Sequence, residues 1–263
     1  MPKLRVTFLG TGTSQGVPRI GCGCDVCAST DPRDTRTRCS IYVETPEASL
    51  VVDTGADFRA QCLREKIRRV DAVLYTHAHT DHIMGFDDLR PFCRTGDTIP
   101  VYGSEATLTQ LADVFAFAFR PPVRVPGYVH PEAKIVTGAF ALGDVEIIPL
   151  PLPHGRTIST GYMFCVRGEP LLAYLTDCKT VPPEVEQAVS GVRHLVIDAL
   201  RARPHPTHLS FSEAVEVIER VQPQQAWLTH LCHDHYHSRI EEGLPSNVRV
   251  AFDGLVLEID EVS

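Results

Sequence analysis

Short apolar runs alternate with amphipathic stretches along the whole chain, which is the pattern of an α/β protein. Apolar runs bounded by turn residues predict strands. These lie at residues 4–9, 41–43, 49–52, 71–75, 171–175, 194–197 and 226–228, with several more within 134–166 and a hairpin over 248–259 turning at Asp253-Gly254. Apolar residues at helical spacing predict helices over 58–69, 106–119 and 211–221. No repeat, linker or shift of composition divides the chain, so we predict one α/β domain over residues 1–263.

The segment Thr-His-Ala-His-Thr-Asp-His directly follows the apolar run 71–75 and contains His77, His79, Asp81 and His82. A strand would place His77 and His79 on one side, and Asp81 and His82 would reach back from the loop or helix start that follows. A solvated turn explains such a cluster poorly, since four donors fall within six positions. Convergent imidazoles and carboxylates suit a divalent metal, and an open site would make that metal catalytic.

Three later strands also end in a residue able to bind a metal. His154 follows the strand that contains residues 150–153, Asp177 follows 171–175, and His230 follows 226–228. In α/β proteins, ligands gather at the carboxyl ends of strands. The seven donors are enough for two metals, with Asp177 as a bridging carboxylate.

Cysteine spacing points to a second kind of metal site. The chain has nine cysteines, an odd number, and no export signal, and in a reducing cytosol close spacing favours metal binding over disulfides. Cys22, Cys24 and Cys27 form a Cys-x-Cys-x-x-Cys pattern in a glycine-rich loop, one ligand short of a closed tetrahedral zinc site. Three free thiols are the alternative.

Composition and charge limit the classes of partner. With 263 residues, 43% of them hydrophobic and 22% charged, the chain is an ordinary globular protein with an ample core. Its net charge of −8 argues against a broad nucleic-acid-binding surface, which needs a basic patch. A phosphate substrate stays open, because bound dications reverse the local potential. We find neither a signal-peptide core nor a membrane-spanning run, so we expect a cytoplasmic protein without membrane contact.

The histidine motif and the three later donors resemble the metallo-β-lactamase superfamily in its dinuclear phosphodiesterase branch. The stretches at residues 8–12 (Phe-Leu-Gly-Thr-Gly) and 52–55 (Val-Asp-Thr-Gly) also resemble the superfamily, and the resemblance spans essentially the whole chain. It implies an αββα sandwich with two zinc or manganese ions at one edge, and with Asp53 orienting a ligand histidine. Iron is a further option for such ligands.

A narrower resemblance rests on residues 15–18 (Gln-Gly-Val-Pro) followed by the cysteine loop. This combination is similar to the phosphoribosyl 1,2-cyclic phosphate phosphodiesterases of bacterial phosphonate breakdown. The resemblance implies a structural zinc held by Cys22, Cys24, Cys27 and a histidine three residues after His230, which is His233. The neighbouring side chains that could replace it are Cys232, His235 and His237. His208 matches the family's additional active-site histidine; an ordinary histidine before a helix capped by Ser210 is the alternative.

The chemistry implied is hydrolysis of a small phosphodiester, cyclic or linear, such as phosphoribosyl 1,2-cyclic phosphate. A hydroxide bridging the two metals would attack phosphorus. Asp81 would bind a metal and orient that hydroxide, while His208 would protonate the leaving oxygen or stabilise the developing charge. The expected partner is a small molecule and not a nucleic acid, and a homodimer is an open alternative.

Three other functions are compatible with part of this residue set. A tRNA 3′-processing endonuclease resembling ribonuclease Z shares the metal ligands but grips tRNA with a long flexible arm, whereas residues 90–134 have mixed charge and no Gly/Lys-rich arm. A thiolesterase of the glyoxalase kind would share the His/Asp donors without needing the cysteine loop. A non-catalytic zinc- or partner-binding protein ranks lowest, because decay of a catalytic site usually removes ligands first.

Overall fold

Two mixed sheets pack face to face in the computed structural model, which describes residues 3–93, 98–120 and 127–260. The strands in these ranges are β1 (Leu4–Gly10), β2 (Ser40–Glu44), β3 (Ser49–Val52), β4 (Ala72–Leu74), β5 (Ile99–Gly103), β6 (Pro131–Ile135), β7 (Phe140–Leu142), β8 (Val145–His154), β9 (Thr157–Val166), β10 (Glu169–Leu175), β11 (His194–Asp198), β12 (Gln225–Thr229), β13 (Val248–Val250) and β14 (Val256–Ile259). The helices are α1 (Phe58–Arg64), α2 (Thr80–Ile83), α3 (Glu105–Val114), α4 (Ala116–Phe119), α5 (Pro183–Ala188), α6 (Phe211–Val221) and α7 (His237–Glu241), with 3₁₀ turns at Pro32–Asp34 and Phe86–Phe92.

Each sheet contributes one face to a shared core. The first sheet has the order β14-β1-β2-β3-β4-β5-β6 and the second β13-β12-β11-β10-β9-β8-β7. Buried side chains from both sheets, among them Phe8 and Leu50 from the first and Phe164 and Tyr174 from the second, form one apolar cluster between them. Burial of this apolar surface holds the two layers together.

Helices cover the outer faces of both sheets. Leu108 and Leu111 of α3 pack in a cluster with Val73 and Val101 of the first sheet. On the second sheet, α5 and α6 share a cluster with residues of β10, β11 and β12. The predicted αββα sandwich is therefore confirmed, and it accounts for the long apolar runs: strands covered on both faces need no polar side. No helix in the described part of the chain is long and apolar enough to cross a membrane.

The predicted hairpin over residues 248–259 is wrong. β13 pairs in parallel with β12 in the second sheet, whereas β14 pairs antiparallel with β1 in the first. The turn at Asp253-Gly254 exists, with Gly254 at φ +88°, but it carries the chain from one sheet to the other. The Asp253 carboxylate holds this crossing in place by accepting hydrogen bonds from the backbone N–H groups of Thr11 and Thr37, at 2.9 and 2.8 Å.

Two predicted helices differ from the structure in extent. The helix over 58–69 ends at Arg64, and Lys66 then takes a left-handed conformation with φ +56°. The helix over 106–119 is broken at Phe115 into α3 and α4. In contrast, α6 has the predicted bounds, and Ser210 caps it in a capping box with Glu213.

Some residues used in the sequence predictions lie outside the described residues. They are residues 94–97 and 121–126 of the segment compared with a tRNA-binding arm, and residues 1–2 and 261–263 of the predicted domain.

Candidate metal centre

The donors of the histidine motif come from a loop and a short helix. β4 ends at Leu74, before the motif, so the prediction that a strand aligns His77 and His79 is wrong. His79 instead precedes α2 as its N-cap residue, and α2 carries Asp81 and His82, as predicted. The backbone N–H of Tyr75 still donates to the carbonyl oxygen of Tyr102 in the neighbouring strand, at 2.8 Å, so the loop begins only after Tyr75.

The seven donors predicted for a dinuclear site lie together at one edge of the sandwich. They fall into two groups whose ligand atoms lie within 4.8 Å of one another: His77, His79 and His154, and Asp81, His82, Asp177 and His230. Asp177 faces both groups. Its Oδ2 lies 3.3 Å from His82 Nε2, 3.2 Å from His230 Nε2 and 3.9 Å from His77 Nε2. This is the position that a carboxylate bridging two cations would take.

Three of the buried imidazole nitrogens in this cluster have no hydrogen-bond partner of acceptable geometry among the described residues. They are His82 Nε2, His230 Nδ1 and His230 Nε2. The two Nε2 atoms lie close to the Asp177 carboxylate, at 3.3 and 3.2 Å, without pointing along a hydrogen bond to it. Buried polar atoms without partners are rare and costly. Nitrogens aimed at a common point beside a carboxylate fit a bound cation, so the residues present are suited to metals.

Burial and neighbouring charges shift the pKa values of His77 and His82 in opposite directions. Burial, reinforced by the neighbouring His82, lowers the pKa of His77 well below its usual value, so His77 is neutral and able to bind a metal. Burial also opposes protonation of His82, but the carboxylates of Asp177, Asp53 and Asp81 outweigh it and raise the pKa of His82 well above its usual value. A cation bound here would displace the proton from His82 and take its place beside the carboxylates.

Asp53 orients His82 directly and His77 through Thr76. Its Oδ2 accepts hydrogen bonds from His82 Nδ1 and Thr76 Oγ1, both at 2.7 Å. Thr76 Oγ1 in turn lies 2.9 Å from His77 Nδ1 and accepts its proton. With both Nδ1 atoms bonded in this way, the Nε2 atoms of His77 and His82 face the cluster. This is the orienting role that the family resemblance implied for Asp53.

His208 lies beside this cluster, paired with an aspartate that the sequence analysis did not single out. His208 Nδ1 donates to Asp198 Oδ2 at 2.7 Å, and the same oxygen accepts the backbone N–H of Cys178 at 2.9 Å. The His208 ring stacks on His230 with centroids 4.6 Å apart. Asp198 ends β11, so the rule that site donors follow buried strands would have found it.

The charge of His208 follows from this pairing. Burial disfavours the imidazolium, but the adjacent Asp198 carboxylate outweighs burial and raises the pKa of His208. Because Nδ1 is bonded to Asp198, Nε2 is left for the cleft that His208 lines. A protonated histidine held in this way is suited to donate a proton or stabilise negative charge.

The three loop cysteines and His233 form a separate cluster. His233 Nδ1 lies 3.3 Å from the sulfur of Cys24 and 3.5 Å from the sulfurs of Cys22 and Cys27. A hydrogen bond with His233 is the main cause that lowers the pKa of Cys24 to about 6, which favours the thiolate that binds metal. The other fourth-ligand candidates, Cys232, His235 and His237, are outside this group; buried His237 instead contacts Arg36, with Nδ1 3.1 Å from a guanidinium nitrogen.

A cleft of about 540 Å³ opens over the His/Asp cluster. It is lined by Ser14, Ala78, His79, Thr80, Asp81, His154, Gly155, Arg156, Thr157, Asp177, Thr207, His208 and His230. Apart from the donors, the lining side chains that carry polar groups are the hydroxyls of Ser14, Thr80, Thr157 and Thr207 and the guanidinium of Arg156. The cleft therefore suits a small polar molecule.

Comparison with known proteins decides the family of the chain. Residues 49–231 match the β-lactamase superfamily domain. The chain belongs to the metallo-β-lactamase superfamily. A solved structure described as a new diphosphatase from the PhnP family is 39% identical, with a TM-score of 0.89, and the match covers 97% of this chain and 96% of that one. This similarity supports the narrower resemblance to the phosphodiesterases of phosphonate breakdown.

Two curated relatives match over part of their length. An octanoyltransferase of Porphyromonas gingivalis is 36% identical over 267 residues, which cover 98% of this chain and 52% of that protein. A ribonuclease Z of Bradyrhizobium diazoefficiens is 27% identical over 167 residues, which cover 60% of this chain and 49% of that protein. The chain thus spans about half the length of these two relatives.

Proposed function

We propose that this protein is a dinuclear metal-dependent phosphodiesterase that acts on small phosphodiesters. The observation that carries the proposal is the position of Asp177, whose Oδ2 lies within 3.9 Å of ring nitrogens from both donor groups. A carboxylate shared in this way serves two cations. Two-metal sites of this kind suit in-line displacement at phosphorus, because they hold both the attacking and the leaving oxygen.

The ligands divide between the two cations as the donor groups do. His77, His79 and His154 would hold one and Asp81, His82 and His230 the other, with Asp177 common to both. Bound there, the cations would supply Lewis acidity and activate water near neutral pH. The choice between zinc and manganese depends on geometry and supply.

Asp81 and His208 are the side chains that we assign to proton handling. The neighbouring His82 outweighs burial and lowers the pKa of Asp81, so Asp81 stays ionised and accepts a hydrogen bond from the attacking water while it binds a cation. Asp198 favours the protonated form of His208, which would donate from Nε2 to the leaving oxygen. Both residues line the cleft.

The substrate class rests on the cleft and on the family. A polar cleft of about 540 Å³ is the size of a small-molecule site. The similar structure from the PhnP family is described as a diphosphatase, another enzyme of phosphoryl chemistry. Phosphoribosyl 1,2-cyclic phosphate is the first substrate to be tried, with linear diesters and diphosphates next.

A ribonuclease Z activity is the second candidate, and the observation in its favour is the 27% identity with the Bradyrhizobium enzyme. The net charge of −8 opposes it, because proteins that grip the phosphate backbone of RNA present basic surface. A thiolesterase of the glyoxalase kind would not need the cluster of Cys22, Cys24, Cys27 and His233.

A turnover panel tests the proposal. Metal-loaded protein should hydrolyse bis(p-nitrophenyl) phosphate and cyclic phosphodiesters, and chelation should remove this activity. Hydrolysis of a thioester or cleavage of a tRNA precursor, with phosphodiesters left intact, would replace the proposal with one of the two alternatives.

For the cysteine cluster we propose a structural zinc held by Cys22, Cys24, Cys27 and His233. Four protein ligands leave no position for water or substrate. A zinc ion bound there would cross-link the loop at 22–27 to the segment just after His230. Closing so long a connection should stabilise the fold.

Cys24→Ser should therefore remove one equivalent of zinc while the dinuclear pair remains. The melting temperature should fall, by about 2–4 °C for each kcal/mol lost in a domain of this size. Elemental analysis and calorimetry measure both effects. Cys232→Ser is the matched control and should keep the full zinc content; loss of zinc from the control, or an unchanged count in Cys24→Ser, would contradict the assignment of these ligands.

Asp198→Asn tests the support of His208. The amide removes the charge that favours the imidazolium and can present the wrong group to Nδ1, so we expect kcat to fall about 10- to 100-fold, as for other residues that orient site groups. The metals should remain bound. A pH profile that does not move in this variant would show that Asp198 has only a packing role.

A further inference from the structure

Arg156 occupies the tip of a rigid hairpin at the mouth of the cleft. β8 and β9 pair along their whole length, up to His154 opposite Thr157, so Gly155 and Arg156 form a two-residue turn. Gly155 has φ +61° at the first turn position, as a type II′ turn requires. The hairpin that delivers the ligand candidate His154 therefore also sets the place of Arg156.

The tip of this hairpin is packed against the segment that carries His208. A Cβ atom added to Gly155 would lie 2.7 Å from Thr207 Cγ2, so the backbone of the turn contacts that side chain closely. His154 Nδ1 also donates to the carbonyl oxygen of Thr207, at 2.8 Å. These contacts fix the hairpin tip relative to His208.

The guanidinium of Arg156 has no assigned partner in the protein. It is exposed, and among the described residues that line the cleft it is the one lysine or arginine. No hydrogen bond or ion pair to its side chain occurs within the described ranges, whereas Arg38 and Arg220, for example, pair with Asp57 and Glu186. A solvent-exposed guanidinium without a protein partner is available to bind an anion that enters the cleft.

Depth in the cleft separates Arg156 from the reacting centre. Asp177 and His230 line the cleft and are buried at its floor, whereas Arg156 and Thr157 are exposed at its rim. A phosphodiester held at the floor would meet the metals and His208. The Arg156 guanidinium at the rim is then available to bind a different group of the same substrate molecule.

We propose that Arg156 is a specificity-determining residue that binds a second phosphate group, a monoester, on substrates whose phosphodiester lies at the metal centre. This inference rests on the proposed function. The planar guanidinium matches phosphate with two parallel hydrogen bonds.

Two substrates that differ only in the second phosphate provide the kinetic test. They are adenosine 2′,3′-cyclic phosphate and its 5′-phosphorylated form. We expect a KM about 10- to 100-fold lower for the phosphorylated compound, the range of a hydrogen bond to a charged group. Arg156→Gln should abolish this preference and leave kcat for the unphosphorylated compound unchanged, and Arg156→Lys should restore part of it.

Arg68→Gln is the matched control. Arg68 is exposed and precedes β4, whereas the donors of the histidine motif follow that strand, so Arg68 lies at the opposite edge of the sheet. The control should keep the full preference. A preference retained in Arg156→Gln would overturn the proposal.

Calorimetric binding separates this inference from the proposed function. Adenosine 2′,5′-bisphosphate should bind more tightly than adenosine 2′-phosphate to the wild type and equally to Arg156→Gln. If neither diester is hydrolysed but this difference appears, the proposed reaction fails and the role of Arg156 stands. If Arg156→Gln weakens both ligands equally, or neither, Arg156 does not recognise a second phosphate.

Discussion

Asp177→Ala should reduce phosphodiester hydrolysis to the background of metal-free protein. Asp177 is the residue whose carboxylate lies near both donor groups, within 3.9 Å of His77, His82 and His230. Without it, the two cations would lose their common ligand and the positive charge of the cluster would be uncompensated. Elemental analysis should show loss of active-site metal together with loss of turnover.

The fold should survive this change. Asp177 belongs to none of the three apolar clusters that hold the sheets and helices together. The circular dichroism spectrum should match that of the wild type. Asp113→Ala, which removes a carboxylate from an exposed ion pair with Arg120, is the control and should retain full activity. Near-normal turnover in Asp177→Ala would contradict the dinuclear mechanism.

His208→Ala should retain both metals and lose turnover by about 10²- to 10⁴-fold, the usual contribution of general acid catalysis. The loss follows because His208, held by Asp198 at 2.7 Å, is the group assigned to protonate the leaving oxygen. A substrate with a good leaving group, such as p-nitrophenolate, should show a smaller loss than one with an alkoxide leaving group.

Metal content distinguishes this role from metal binding. The ligand atoms of His208, Asp198, Asp177 and His230 also lie within 4.8 Å of one another, so His208 is close enough to serve as a ligand. Loss of an equivalent of metal from His208→Ala would place the residue among the ligands and contradict its role as an acid. His235→Ala makes the same chemical change at an exposed histidine and should alter neither quantity.

The donors of the candidate site could be found from the sequence because they obey a simple physical rule. β10 and β12 run in the same direction through the second sheet, with β11 between them, so the residues that follow them emerge at one edge. Asp177 and His230 are placed in this way. The same rule applied to β11 would have added Asp198.

Other features depend on tertiary pairing that local pattern does not contain. β13 and β14 have the apolar runs of a hairpin, but their partners are strands far away in the sequence, in different sheets. The loop that carries His77 and His79 is oriented by hydrogen bonds and not by strand alternation: Asp53 accepts the backbone N–H of Thr76, and Thr76 Oγ1 accepts from His77 Nδ1. The sequence does not single out Arg156; the hairpin tip that carries it meets Thr207, through Gly155 and His154, only once the sheets are assembled.

Phosphorus NMR of a cyclic phosphodiester incubated with the metal-loaded protein tests whether the protein is a metal-dependent phosphodiesterase. We expect the cyclic diester resonance to be replaced by that of a ring-opened phosphate monoester, and chelation of the metals to stop the conversion. A cyclic diester that persists unchanged beside protein carrying its full complement of metal would contradict this expectation.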